Sequence, residues 1–514
     1  MSGAGGDDLT GATRRWWVLG LAGVLVVAAA GAGFAVGSVV GGGGTQPEDV
    51  LPDTVIAYTD IDLDPAAEQK INVIRLLGQF NDVEREYGPE PDVRAVAVDW
   101  LVAGSDLEEA DVAAWVGDRA GFGVSWDPAA ETLTPVAAVQ VTDEQEALDD
   151  IGRVLEPDQF ATSQGYLVVT GDLFNDLDVL DTLEGFSGSE VIGAQSATEM
   201  VDAGQAGSLA QSPSFRSVFD RLDDGLLTAY LDGEGVAAAG EQIAASFGAA
   251  DTEVSDALVD LAESGLTGAV LRAEPSALEV VAWSSVAPQG DGQTAQLMTS
   301  LPGSTLLAVE FTGGAELVAD RWQKTFADLT SEGLSAKRLE RGLADLEAQY
   351  GITLPADLET LFGDDVVLSV DGEGLLTGIP GIGLLAVTDP VTGADLASRI
   401  EDQLALLTGG FGVTARGTDD GLVVASTDDY ADRLVSGAGG LGAEPLFTEA
   451  LPDAKTATNL VWVDFSSVKS FAILAAPDSA GLLDPLEAFG LTVVPDQGGS
   501  LTRARLVFDK VDPS

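Results

Sequence analysis

Histidine and cysteine are absent from this chain, and basic residues are scarce, with 24 Lys and Arg against 84 Asp and Glu. Without cysteine there is no disulfide, no thiolate nucleophile, no iron–sulfur or Cys-zinc site and no lipoprotein cysteine to acylate. Without histidine, Ser-His-Asp triads, imidazole acid–base catalysis and His-ligated metals are excluded too. Carboxylate, Lys, Tyr and Ser/Thr chemistry is what remains. The formal net charge of -60 repels phosphate backbones and anionic lipid headgroups, which argues against nucleic-acid binding.

What the chain does have is one long uncharged apolar run. Residues 16–40, WWVLGLAGVLVVAAAGAGFAVGSVV, carry no charge. At ~1.5 Å per residue the run reaches ~37 Å as a helix, enough for a ~30 Å hydrocarbon core with some tilt. Arg14 and Arg15 precede it and the next basic residue is Lys70. The positive-inside bias therefore predicts a cytoplasmic tail over 1–15, a transmembrane helix over 16–40, and an extracytoplasmic remainder in contact with the bilayer only through that helix. A cleaved signal peptide is the competing account. Its apolar core would be ~7–15 residues, and here apolar sequence continues past Ala28-Ala29-Ala30. The spacing Gly33-x-x-x-Gly37 suits close helix–helix approach in a bilayer, although general glycine richness explains it more simply.

Residues 41–50, GGGGTQPEDV, read as a flexible linker. Beyond it the chain repeats. Asp111 to Asp143 aligns without a gap to Asp357 to Asp389, matching Gly117 with Gly363, Asp118 with Asp364, and Val141-Thr142-Asp143 with Val387-Thr388-Asp389. In the same order, YLVVT at 166–170 matches LVVAS at 422–426, Phe215 matches Phe447, and Asp232 matches Asp464. Gly265-Leu266-Thr267 is matched with Gly490-Leu491-Thr492. These collinear matches predict two homologous tandem domains, 51–298 and 299–514.

Each copy reads as α+β, a largely antiparallel sheet with helices packed on it. An opening strand (Thr54–Thr59, or Thr305–Glu310) leads to a helix whose predicted stripe in the first copy is Ile71, Ile74, Leu77 and Phe80. Asp64 and Pro65 suit its start, and Ser105-x-x-Glu108 announces a second helix. Strands follow over Ala120–Trp126, Pro135–Val141 and Gly165–Thr170, and a helical segment over Val236–Ser264 precedes a closing hairpin.

The segment Leu51-Pro52-x-Thr54 running into Asp60-Ile61-Asp62-Leu63-Asp64-Pro65, the block Trp115-x-Gly117-Asp118-Arg119-Ala120-Gly121, and Val139-Gln140-Val141-Thr142-Asp143 carry a resemblance. They resemble a bacterial family of membrane-anchored proteins known as Domain of Unknown Function 3352. The likeness spans about residues 51 to 510 and is more specific in the first copy; the second departs at Asp365, where the first has Arg119. It implies architecture and location and brings no activity.

Three patterns invite a chemical reading. Asp60, Asp62 and Asp64 alternate, so an extended strand would align three carboxylates suited to a hard cation. Pro65 and Ile71 break the EF-hand pattern, and a strand end feeding a helix cap is the simpler account. Ser466-Ser467-Val468-Lys469 fits S-x-x-K, but the companion motifs of the penicillin-binding enzymes are missing. Gly117-Asp118-Arg119 and Gly363-Asp364-Asp365 read as helix-stopping turns or, alternatively, as a repeated recognition turn. No catalytic, cofactor-binding or metal residue is assigned. The sequence thus predicts a non-enzymatic, membrane-anchored extracytoplasmic protein, an envelope interaction or scaffold module that engages a protein partner. The alternative is a binding protein for an apolar or lipid-like ligand.

Overall fold

A computed structural model describes residues 45–510 apart from 63–66, 80–108, 171–194, 241, 244–260, 262, 289–295, 332–334, 374–379, 408–412, 438, 468 and 470–482. The predicted cytoplasmic tail and transmembrane segment therefore lie outside the described residues, as do Asp64, Phe80 and the Ser105–Glu108 box. No helix among the described residues is long and apolar enough to cross a membrane. The chain divides into two compact units between Val286 and Ala287, ahead of the 298/299 boundary read from the sequence. Leu297 and Met298 belong with the second unit, where their amides bind Glu310.

Unit 1 holds strands β1 (Val55–Asp62), β2 (Val116–Asp127), β3 (Thr132–Val141), β4 (Phe160–Ser163), β5 (Tyr166–Thr170), β6 (Leu227–Asp232), β7 (Leu266–Glu274) and β8 (Ala277–Ser284). Their order across the sheet is β8-β7-β6-β1-β2-β3-β5-β4, and every neighbouring pair is antiparallel. Unit 2 holds β9 (Thr305–Thr312), β10 (Asp365–Asp371), β11 (Gly381–Val387), β12 (Thr414–Thr418), β13 (Gly421–Ala425), β14 (Asn459–Asp464), β15 (Leu486–Asp496) and β16 (Gly499–Phe508). Its order, β16-β15-β14-β9-β10-β11-β13-β12, is that of unit 1 strand for strand, again antiparallel throughout. The class is α+β.

Register sharpens this likeness. Ala57 pairs with Leu231 as Leu307 pairs with Val463, so β1 and β6 superpose on β9 and β14 residue by residue. On one sheet face, Phe215 of helix Pro213–Phe219 meets Tyr230 edge-on at 5.2 Å, and Phe447 of helix Pro445–Ala450 meets Trp462 edge-on at 5.3 Å. Under those helices lie Gly268, opposite Tyr230, and Gly490, opposite Trp462. A Cβ on Gly268 would come within 2.3 Å of Val218, and one on Gly490 within 2.4 Å of the Ala450 carbonyl. The partner of Gly490 is therefore Gly268, and the sequence match to Gly265 is out of register. Close helix approach decides which glycine is equivalent.

The opposite face is covered by helices tied together in pairs. In unit 1, Trp115 at the end of helix Glu109–Trp115 donates its indole N–H to Asp150 of helix Glu144–Ile151 at 3.2 Å. In unit 2 the corresponding pair, Ala356–Phe362 and Pro390–Leu407, is joined by a two-pronged Arg399–Asp357 contact with both bonds at 2.7 Å. Arg399 holds the Asp357 carboxyl below the usual carboxylate range. The repeated Val-Thr-Asp motif also acquires a cause: Asp143 accepts the Gln145 and Glu146 amides, and Asp389 those of Val391 and Thr392, so each caps the next helix.

Two local expectations change. In helix Ala67–Leu77, Ile71 is 56% exposed, whereas Val73 and Leu76 are buried. Gln69 and Asn72 dock the helix by binding the Ala273 amide and carbonyl of β7, which rotates the stripe away from Ile71. Residues 45–50 are not free linker either. Pro47 and Val50 are buried in a short helix, Leu51 is fully buried, and the Asp53 amide binds the Gly207 carbonyl.

Gly363 has little freedom to change. It ends helix Ala356–Phe362 at φ 57°, ψ -163°, a conformation essentially confined to glycine, and a Cβ there would meet the Val387 carbonyl at 2.1 Å. Gly363→Ala should lower unfolding stability by about 1–3 kcal/mol or more. Gly165→Ala should cost less, because Gly165 also has positive φ but no atom within 4 Å of its Cβ position. Urea midpoints of the two variants compare them directly; equal losses would count against this account.

Candidate functional site

The central strand of unit 1 gathers the densest polar cluster around the start of the described chain. Alternation along β1 places Tyr58, Asp60 and Asp62 on one side. The Tyr58 hydroxyl lies 3.0 Å from Glu48 Oε2, on the short helix Pro47–Val50, and 3.1 Å from Asp60 Oδ2. One hydroxyl proton faces two carboxylates, so it serves only one at a time. Asp62 accepts from Arg119 Nε of β2 at 3.2 Å, and the Arg119 charge also acts on the Tyr166 hydroxyl. Tyr166, on β5 and buried, donates to the Thr45 carbonyl at 2.8 Å.

Burial, and then the neighbouring Glu48 charge, push the Asp60 carboxyl up to about 8, against opposing hydrogen bonds from Thr228 and Tyr58. Burial also raises Glu48, and it raises Tyr58 well above the usual phenol range, with the Asp60 and Glu48 charges adding to the effect. Near neutral pH the cluster thus retains an extra proton. Two carboxyls sharing a proton have the chemistry of an acid–base pair. Here both are engaged by Tyr58, and the segment carrying Glu48 is packed over them.

Unit 2 presents the same positions with different chemistry. Glu310 stands where unit 1 has Asp60, is fully buried, and accepts the Leu297 and Met298 amides at 3.0 and 2.6 Å. Ala308 replaces Tyr58. Register sets Arg119 opposite Asp62 and Asp365 opposite Thr312. The ion pair of unit 1 becomes a hydrogen bond from the Thr312 hydroxyl to Asp365 at 2.8 Å. A reversal of polarity at 119/365 is matched by a reversal at 62/312, so each unit satisfies the position internally.

The sequence motifs fall into place around these contacts. Asp60 and Asp62 share a strand but bind Tyr58 and Arg119, and Asp64 lies outside the described residues. Among the described residues no group of three or more acidic side chains is arranged to hold a metal ion. At the two Gly-Asp turns, the Asp118 amide binds Gln140, the Asp364 amide binds the Val387 carbonyl, and Arg119 and Asp365 point inward to their partners. Ser466 Oγ donates to Asp464, whereas Lys469 Nζ binds Glu487 at 2.9 Å and the Asp484 carbonyl at 3.0 Å. Asp464 caps a helical turn through the Ser467 amide, as Asp232 does through Gly235. Glu48 was missed by sequence reasoning because it sits in what reads as linker; its adjacency to Pro47 at a helix start was the available signal.

Asp60 makes stability depend on pH with a definite sign. The folded state keeps the proton up to about pH 8, while the unfolded chain releases it near 3.8. The contribution of this group is full below the lower value and is lost as pH rises through the upper one. Asp60→Asn should remove that slope and stabilise the protein at pH 8 by on the order of 1–3 kcal/mol. Urea titrations at pH 5 and pH 8 measure this, and a variant that kept the wild-type slope would sink the assignment.

Compared with models of known protein families, with curated proteins and with solved structures, the chain matches none.

Proposed function

We propose that this protein is a non-enzymatic, membrane-anchored extracytoplasmic module whose two units arose by duplication and which contacts an envelope protein partner. The observation that carries the partner reading is an apolar patch on unit 2. Leu307, Leu368 and Ile382 are 40%, 39% and 56% exposed on neighbouring strands β9, β10 and β11. Leu307 and Ile382 both pair with Val370, and Leu368 pairs with Val309 and Leu384, so the three lie on one sheet face. Farther along that face, Val366, Leu384 and Ala386 pack with Leu396 and Leu422. Contiguous exposed apolar surface on so acidic a protein is costly in water and suits a contact made elsewhere.

The non-enzymatic reading draws support from internally satisfied side chains: Arg119, Lys469 and Ser466 are each bound to a carboxylate of the same unit. Duplication draws support from the shared strand order and from the Phe215–Tyr230 and Phe447–Trp462 pairs. Anchoring rests on the uncharged run 16–40 behind Arg14 and Arg15. Kinship with Domain of Unknown Function 3352 is part of the same proposal and rests on the residues quoted for it above.

Two experiments test this reading. Protease added to intact spheroplasts should remove the bulk of the chain, and protection of a tag placed at Ser514 would refute the orientation. A photo-cross-linking residue at position 368 should capture one discrete protein partner in intact cells. Ile382→Glu should abolish that adduct while leaving the unfolding midpoint nearly unchanged. Capture that ignores Ile382→Glu would separate the patch from the interaction.

A further inference from the structure

We propose that Glu48, Tyr58 and Asp60 form a proton-sharing latch that closes residues 45–50 onto unit 1 in acid and loosens as pH rises. In sequence the segment lies immediately beyond the uncharged run and the four glycines that follow it. The inference concerns this segment alone and does not depend on whether residues 16–40 cross a bilayer.

Geometry makes the latch a single unit. Two hydroxyls hold the segment: Tyr58 reaches Glu48, and Tyr166 reaches the Thr45 carbonyl. Pro47 sits so closely over Gly121 of β2 that a Cβ there would approach it to 2.5 Å. Among the described residues, the charged and titratable groups around the pair are Asp49 on the same helix, Asp62 on β1, Arg119 on β2 and Tyr166 on β5. Asp62 already engages the Arg119 guanidinium at 3.2 Å. With Asp60 protonated, the cluster has a second proton to place between carboxylates and the Glu48 side stays closed. With Asp60 and Glu48 both ionised, one phenol proton stands between two negative charges in a poorly solvated site, and lifting the helix admits water to both.

Unit 2 serves as an internal comparison. Its strand carboxylate, Glu310, accepts two backbone amides of the preceding turn, whereas Asp60 of unit 1 meets the Tyr58 hydroxyl.

Opening uncovers a group that binds its proton far more tightly when closed. The opening constant should rise by up to about tenfold per pH unit between the ordinary carboxyl value and the raised one, then level off. Hydrogen exchange on the full chain in detergent, corrected for intrinsic rates, reads this at the amides of Asp49 and Leu51, which bind the Gln46 and Pro47 carbonyls. Their protection should fall at least tenfold from pH 5 to pH 8 and flatten above, while peptide 136–140 of β3 stays protected. Asp60→Asn should abolish the slope, and Glu48→Gln should weaken it without loss of protection at pH 5. Four results would overturn the latch: no slope in the wild type, a slope that survives in Asp60→Asn, a slope undiminished in Glu48→Gln, or β3 opening in parallel.

Discussion

In each unit the opening strand is hydrogen-bonded on both sides, β1 by β6 and β2, β9 by β14 and β10. Where neighbouring segments cover a face of such a strand, its acidic side chains lose contact with water and are matched within the protein. Much of the polar architecture follows from this constraint in a chain with so few cations. Three solutions are visible. Backbone amides neutralise Glu310, guanidinium groups answer Asp62 and Asp357, and a retained proton answers the Glu48–Asp60 pair. Another acid, Asp371, is fully buried and takes both Ser304 and Arg433, fastening helix Asp428–Ser436 to β10.

The two units share a scaffold and differ in how they satisfy it. Apolar contacts are kept nearly in kind, with an aromatic on the helix after the fifth strand facing an aromatic on the sixth. One polar contact is exchanged as a pair, Asp62–Arg119 against Thr312–Asp365, while the matching helix pairs are joined at different positions, by Trp115–Asp150 and by Asp357–Arg399. A packed core tolerates few changes of volume, whereas a polar pair can change identity if both members change together.

Strand content and the repeat spacing were legible because alternation and glycine-bounded turns are local properties. The Val-Thr-Asp caps were visible for the same reason. The substitution of Arg119 by Asp365 could be seen in the sequence, but its compensation at Thr312 could not, because the partner is more than fifty residues away and is defined only by register. Ile71 misled because its spacing fits a helical stripe while the true docking face is fixed by two polar residues, Gln69 and Asn72, on the β7 backbone. Glu48 lay in a segment whose glycines suggested freedom, yet buried Pro47, Val50 and Leu51 tie it down. Gly268 was overlooked because what selects it is the approach of a helix.

The strands at the outer ends of the two strand orders, β4 and β12, are only four and five residues long. On β12, Arg416 is clasped by Asp428 and Asp432, and on β4 the Thr162 hydroxyl binds Glu144. Short, side-chain-decorated borders of this kind are poor templates for adding a foreign strand. With these two strands guarded in this way, so acidic a chain resists the ribbon-to-ribbon polymerisation that open sheets invite.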